Sequence, residues 1–404
     1  MALEGFASID FHAYHRGTLP ERLGGGAGAA ASAGLPGLEA LAFQLPSGDA
    51  YTYVPRGGTV VVEAGSDAAA TVIEVQPGDW EGLVHDYESA AGLLYGSRAR
   101  CLRGNAMAFI AWEPVLRALF VGRPIYDPAD PLVDDAGSAV DPRRVFRPED
   151  SEEEMAAFLT AAGFLVVRGL YSPPEVAEFL AEAEALRSEA VKGDKLSWWA
   201  TTPEGEEICC RVTRAIDKPK LATLYGDPRL RRLVDLAGAG LAPREGEGTG
   251  VTCIYKSPGI EEGLSDLPWH RDCGMGGHAL MCPVMVASVF LTPATPETGE
   301  LRFLPGSARA SCAFREATDA GGPAGIGVTA EPGDVSLHFG DVMHAAPPPT
   351  RRGLARYRIS ATTNFGPVSV RPHTGAHSYN DVLHGREDGQ VEHLAKVADR
   401  ASAS

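Results

Sequence analysis

No stretch of this chain is long and apolar enough to span a bilayer. The longest apolar runs, such as residues 284–291, fall far short of the ~20 residues a spanning helix needs. Residues 1–20 carry Asp10, His12, His15 and Arg16 and no continuous apolar core, so the pattern of a Sec leader is missing as well. Cations are scarce. Lys plus Arg number 36 against 53 for Asp plus Glu, a formal charge of −17, and the phosphate backbone of a nucleic acid would meet net repulsion. Cysteine is sparse too: seven in 404 residues, irregularly spaced, with only Cys209 and Cys210 adjacent. Neighbouring cysteines rarely bridge each other, so a disulfide framework is excluded and a reducing, cytoplasmic setting is expected.

What remains is an ordinary globular composition, 44% hydrophobic and 22% charged. The length is two to three times a usual domain of ~150 residues, which predicts two domains. Residues 24–38 are rich in Gly and Ala and read as a flexible loop. Residues 127–150 are dense in Pro and Asp and poor in large apolar residues, as an inter-domain linker is. The boundary therefore falls near residue 140, giving an accessory domain over 1–140 and a second domain over 141–404.

In the first domain, residues 59–63 and 71–75 are β-branched runs that read as a hairpin. Residues 79–95 follow with helical spacing at Trp80, Leu83, Val84 and Tyr87, then Leu93 and Leu94. A further helix is expected around residues 112–120. The unit is α+β, and its hairpin-then-helix pattern over residues 50–125 resembles the sterol-carrier-protein type of lipid-binding domain.

In the second domain, Ser151 followed by three Glu is a helix-capping arrangement, residues 164–168 a strand, and Ser172-Pro173 the start of another helix. From residue 250 the texture changes to short β-rich runs punctuated by Gly and Pro, which predicts an antiparallel jelly roll.

The sharpest local feature is PWHRD at 268–272. In an extended segment, positions i and i+2 share a face, so His270 and Asp272 can converge on one cation. His344, 72 residues beyond Asp272, can supply a third ligand. Two His and one carboxylate on one face of an octahedron leave three positions for a bidentate co-substrate and dioxygen. Downstream, Arg356, Arg358 and Ser360 alternate along a strand, where a guanidinium can clamp a carboxylate through paired N–H donors. His338 is a competing ligand six residues before His344, expected instead to line the pocket. Cys273, His278 and Cys282 invite a second metal site but read better as core. Trp198 and Trp199 read as core, or as an apolar wall for a substrate.

Residues 150–370 resemble the phytanoyl-CoA dioxygenase family in four ordered segments: FLTAAGFLVVRGLYSPPEVAEFL, PWHRDCGMGG, PETGELRFLPGSARA and GDVSLHFGDVMHAAPPP. The resemblance implies a double-stranded β-helix, the metal triad His270, Asp272 and His344, Fe(II), and 2-oxoglutarate as co-substrate. It also implies an arginine soon after the distal His that holds the 2-oxoglutarate carboxylate, with Arg356 the first choice and Arg358 the reserve. The chain departs from the family in Arg271 between the two ligands, in Ser288 where an aromatic is common, and in Ala345 after the distal His. A carboxylate at Asp272 argues against halogenation, which needs that ligand position vacant. The expected activity is oxidation, as hydroxylation, of a hydrophobic small molecule. Two readings compete with it: a non-catalytic binding protein with a structural metal, and a zinc hydrolase on the same ligands. Substrate identity and oligomeric state are not encoded in any motif.

Overall fold

The computed structural model describes residues 6–194, 196–202, 204–238, 240–243, 250–258, 260, 267–272, 284–313, 324–349, 358–367 and 394–403. It contains a five-stranded sheet near the N-terminus and, downstream, an eight-stranded and a four-stranded sheet.

The first sheet comprises β1 (Leu41–Gln44), β2 (Ala50–Arg56), β3 (Thr59–Ala64), β4 (Thr71–Val75) and β5 (Ala99–Arg103), in the order β3-β2-β1-β4-β5. Runs 59–63 and 71–75 are strands, as expected, but they do not pair with each other. The hairpin is β2–β3, closed by Gly57 and Gly58 at φ of 62° and 79°, the left-handed geometry that a two-residue turn requires. β4 instead lies parallel to β1. Residues 24–38 are not a loop either: helical turns cover Leu23–Ala27, Gly28–Ala31 and Ser32–Gly34. The small residues there serve close packing, since a Cβ on Gly28 would lie 2.6 Å from Thr59 Oγ1 and one on Gly34 2.7 Å from Ile125 Cδ1. The helix expected over 79–95 is two helices, Pro77–Val84 and Ala90–Tyr95. Asp86 breaks it at φ 57°, where its carboxylate accepts from Arg117 Nε at 2.6 Å and Nη2 at 2.8 Å. Helix Met107–Val121 completes the layer. The C-terminal helix Leu394–Ala403 returns to this unit, burying Leu394, Val397 and Ala398 in its core.

Beyond residue 150, helix Glu152–Ala162 is capped by Ser151 Oγ, which accepts from Glu154 N at 3.4 Å. Helix Pro173–Glu189 opens with a capping box in which Ser172 N donates to Glu175 Oε2 at 2.8 Å. The large sheet orders β6 (Phe164–Val167), β15 (Val335–Phe339), β12 (Met285–Phe290), β17 (Arg358–Pro367), β10 (Val251–Lys256), β8 (Glu207–Val212) and β7 (Ser197–Thr201), with β9 (Leu241–Pro243) beside β17. The small sheet orders β11 (Leu267–His270), β16 (His344–Ala346), β13 (Leu301–Phe303) and β14 (Ile326–Val328). The two sheets with their flanking helices are the jelly roll the strand pattern predicts.

Alternation along the strands sorts the large sheet into two faces. Val335, Leu337, Met285, Ala287, Val289, Ile359 and Ala361 join Met155, Phe158, Val176 and Phe179 of the two helices in one apolar core. The opposite face is polar. Ser336, Ser288, Thr362 and Thr252 are direct partners across β15, β12, β17 and β10, and all four are buried. No helix among the described residues is long and apolar enough to cross a membrane.

Gly163 joins helix Glu152–Ala162 to β6 at φ 84°, and a Cβ there would lie 2.8 Å from Val342 Cγ2. Gly163→Ala should cost about 2–4 kcal/mol, from the left-handed backbone and the overpacking together. Urea unfolding measures it. A loss near ~1 kcal/mol would mean that Val342 yields and only the backbone term remains, and one below ~0.5 kcal/mol would contradict both terms.

Candidate metal centre

Two imidazoles come together because β11 and β16 pair antiparallel with His270 opposite His344. Their ring centroids lie 4.2 Å apart. Asp272 follows β11 and is fixed by its backbone, its N–H donating to Gly340 O at 2.9 Å. Its Oδ1 lies 3.7 Å from both His270 Nε2 and His344 Nε2. The three ligand atoms all fall within 4.8 Å of one another. Octahedral bonds of ~2.1 Å would put neighbouring donors about 3 Å apart, so a cation needs only a small inward movement.

The ring orientations fit that role. Val342 O accepts from His344 Nδ1 at 3.1 Å, which fixes the tautomer and leaves Nε2 as a lone pair. His338 Nε2 lies 3.3 Å from Asp272 Oδ2, and an ionised carboxylate can only accept, so Nε2 is the donor. That bond occupies Oδ2 and leaves Oδ1 facing the other two imidazoles. Burial pushes His344 down to about 4, so it is neutral at pH 7. Burial acts to raise Asp272, but the facing imidazoles, His344 foremost, outweigh it and hold the carboxyl below the usual carboxylate range. A neutral His344 beside an ionised Asp272 is the protonation state in which such groups bind a cation.

His338 projects from β15 and packs beside the triad, its ring 4.5 Å from that of His344. It lines the site, as expected. Sequence reasoning missed its contact with Asp272, whose only signal was its place on the polar face of VSLHF. The row of Ser336, Ser288, Thr362 and Thr252 was also missed, although polar residues at alternate positions of VSLHF, VASVF and ISATTNF announced it. Arg358 opens β17 and Ser360 follows on the same face; both are buried. Burial lowers Arg358 only to about 10, so it is a cation at pH 7, and its Nε has no hydrogen-bond partner among the described residues. Arg356, Cys273, His278 and Cys282 lie outside the described residues. Trp198 is buried on β7 with the Arg211 guanidinium 4.8 Å above its ring, and Trp199 is half-buried.

A two-His-one-carboxylate face with open positions defines the non-haem iron(II) oxygenase class of site. The phytanoyl-CoA dioxygenase family model matches residues 159–353. No curated protein matches the chain. Among solved structures, AviO1 from Streptomyces viridochromogenes Tue57 is 22% identical, with 55% of this chain and 97% of that chain covered at a TM-score of 0.43. The epimerase SnoN in complex with Fe3+, alpha ketoglutarate and nogalamycin RO is 21% identical, covering 54% and 84% at 0.42. EctD from S. alaskensis with bound Fe is 22% identical, covering 62% and 84% at 0.42.

His270→Ala, Asp272→Ala and His344→Ala should each abolish 1:1 Fe(II) binding under anaerobic calorimetry. His338→Ala, which removes a contact to a ligand and no ligand, should weaken it by about 10–100-fold. Loss of binding in His338→Ala with retention in His344→Ala would exchange the roles of the two histidines.

Proposed function

We propose that the protein is an iron(II)- and 2-oxoglutarate-dependent dioxygenase that hydroxylates a hydrophobic small molecule, with His270, Asp272 and His344 as its metal ligands. The observation that carries this is the convergence of two imidazoles and one carboxylate, with one ligand atom of each within 4.8 Å of the others. Iron(II) with 2-oxoglutarate bound supplies oxidative C–H chemistry coupled to release of carbon dioxide and succinate.

The chain's own residues do the binding and orienting. Three ligands on one face leave the remaining metal positions to small molecules. Arg358, buried and charged on the same face as Ser360, is the clamp we assign to the 2-oxoglutarate carboxylate, because a guanidinium that is already buried gains from a paired carboxylate partner. Arg356 is the alternative clamp. The buried hydroxyl row of Ser336, Ser288, Thr362 and Thr252 offers hydrogen bonds along the same face. Trp198, further across that sheet, supplies an apolar wall, whereas Trp199 packs against the helix-side core.

Anaerobic Fe(II) followed by 2-oxoglutarate should produce the weak visible charge-transfer band of a chelated co-substrate, and Asp272→Ala should lose it. Arg358→Ala should raise the 2-oxoglutarate concentration for half-saturation by about tenfold or more, as loss of a charged hydrogen-bonding partner does. If Arg356→Ala does so instead, the clamp is Arg356. Iron bound without the band, or turnover without oxygen and 2-oxoglutarate, would replace this reading with a binding protein or a hydrolase.

A further inference from the structure

Behind the metal site, away from the ligand side chains, lies a buried charge cluster that joins the two units of the chain. Arg271 sits between the ligands His270 and Asp272. Its Nη1 donates to Asp341 O at 2.6 Å and lies 3.5 Å from Asp341 Oδ1. Its Nη2 donates to Ala310 O at 2.7 Å and Ser307 O at 3.3 Å. Asp341 occupies the turn that leads into His344, next to Gly340, whose carbonyl fixes Asp272. From the N-terminal unit, Arg123 Nη2 donates to Asp341 Oδ2 at 2.9 Å and also to Ala308 O. All three side chains are at most 7% exposed. Around Arg123 the backbone is tied as well, Tyr126 N donating to Ser311 O at 2.8 Å and Ser311 N to Pro124 O at 2.7 Å.

We propose that Arg123 is a positioning residue for the metal site: through Asp341 and Arg271 it holds the two ligand-bearing segments, 270–272 and 341–344, in register. The N-terminal unit thereby helps build a metal centre to which it contributes no ligand. The inference rests on the metal reading above.

Several features favour positioning over bulk stabilisation. Burying two guanidinium groups and one carboxylate has a desolvation cost that can exceed the Coulombic gain, so a buried triad is a poor source of stability and a good source of fixed geometry. Planar guanidinium forks fix direction as well as distance, and Arg271 spends its donors on three separate backbone carbonyls. These carbonyls belong to the 307–310 turn and the 341 turn, so one side chain ties the residues flanking β13 to those flanking β16. Arg123 completes the tie from the far side, on Asp341 and on Ala308. Both ligand segments are thus pinned from the back, and their open face is left to ligands.

Linkage makes the proposal testable without a variant. If docking of residues 123–126 raises metal affinity, metal must tighten that docking by the same factor. Hydrogen exchange of the full chain, with and without saturating Fe(II) under anaerobic conditions, should show slower exchange at Tyr126 N when metal is bound. Arg123→Met should raise the Fe(II) dissociation constant about 10–100-fold and shift the charge-transfer band formed with 2-oxoglutarate, with Arg123→Lys recovering part of the affinity. A merely structural role would lower the unfolding temperature and leave the band of the folded fraction unmoved. Unchanged exchange at Tyr126 in a parent protein that binds Fe(II) would overturn the inference and leave the metal reading intact. A parent that binds no Fe(II) would remove both.

Discussion

Three donor atoms must stand within a few ångström of each other before any cation arrives, and the domain is organised around that requirement. An ionised carboxylate near two imidazoles tolerates partial burial only where each group has a partner. Here the turn between β15 and β16 meets most of the demand. Gly340 O takes the Asp272 N–H, Val342 O takes the His344 Nδ1–H, and His338, just before the turn, donates to Asp272 Oδ2. Three residues, Gly340, Val342 and His338, therefore set the backbone position of Asp272, the tautomer of His344 and the free oxygen of the carboxylate. The β11–β16 pairing then needs only to place His270 opposite His344.

The large sheet follows from the same requirement. A strand buried on both faces usually reads as a continuous apolar run. In β15 and β17 it alternates instead, because one face packs on helices Glu152–Ala162 and Pro173–Glu189 while the other carries hydroxyls and Arg358. Buried hydroxyls and a buried guanidinium are unfavourable in a closed core and favourable opposite a polar ligand. The polarity of this face is thus itself a reason to place a small anionic molecule there.

The candidate ligands stood out in the sequence because metal ligation needs particular residue types at particular spacings, and the structure brings those three residues together. PWHRD and the later His344 could be read without the fold, and the jelly roll was legible in its short punctuated strands. Pairing was less so. Runs 59–63 and 71–75 have the composition of partners, but Gly57-Gly58 decided the hairpin, and a two-residue turn outweighs any similarity of strand sequence. Gly and Ala at 24–38 suggested flexibility because composition does not say what lies opposite; Thr59, Val115 and Ile125 do. Likewise Asp86 could not be seen to break a helix without Arg117, 31 residues away, to receive its carboxylate.

Arg271 shows where local reading ends. In PWHRD it looks like the residue that merely separates two ligands, and its solvation would follow from charge alone. In the structure, the alternation that turns His270 and Asp272 toward His344 turns Arg271 the opposite way, into the protein, where among the described residues backbone carbonyls and one carboxylate partner it. Burial works against the charge on Arg271, but a guanidinium does not give up its proton in a protein, so the charge has to be partnered instead. Asp341 is therefore required by Arg271. Arg123 takes Asp341 Oδ2 at 2.9 Å while Arg271 lies 3.5 Å from the other oxygen, Oδ1, and a charge pattern begun between His270 and Asp272 is closed by a residue from the N-terminal part of the chain.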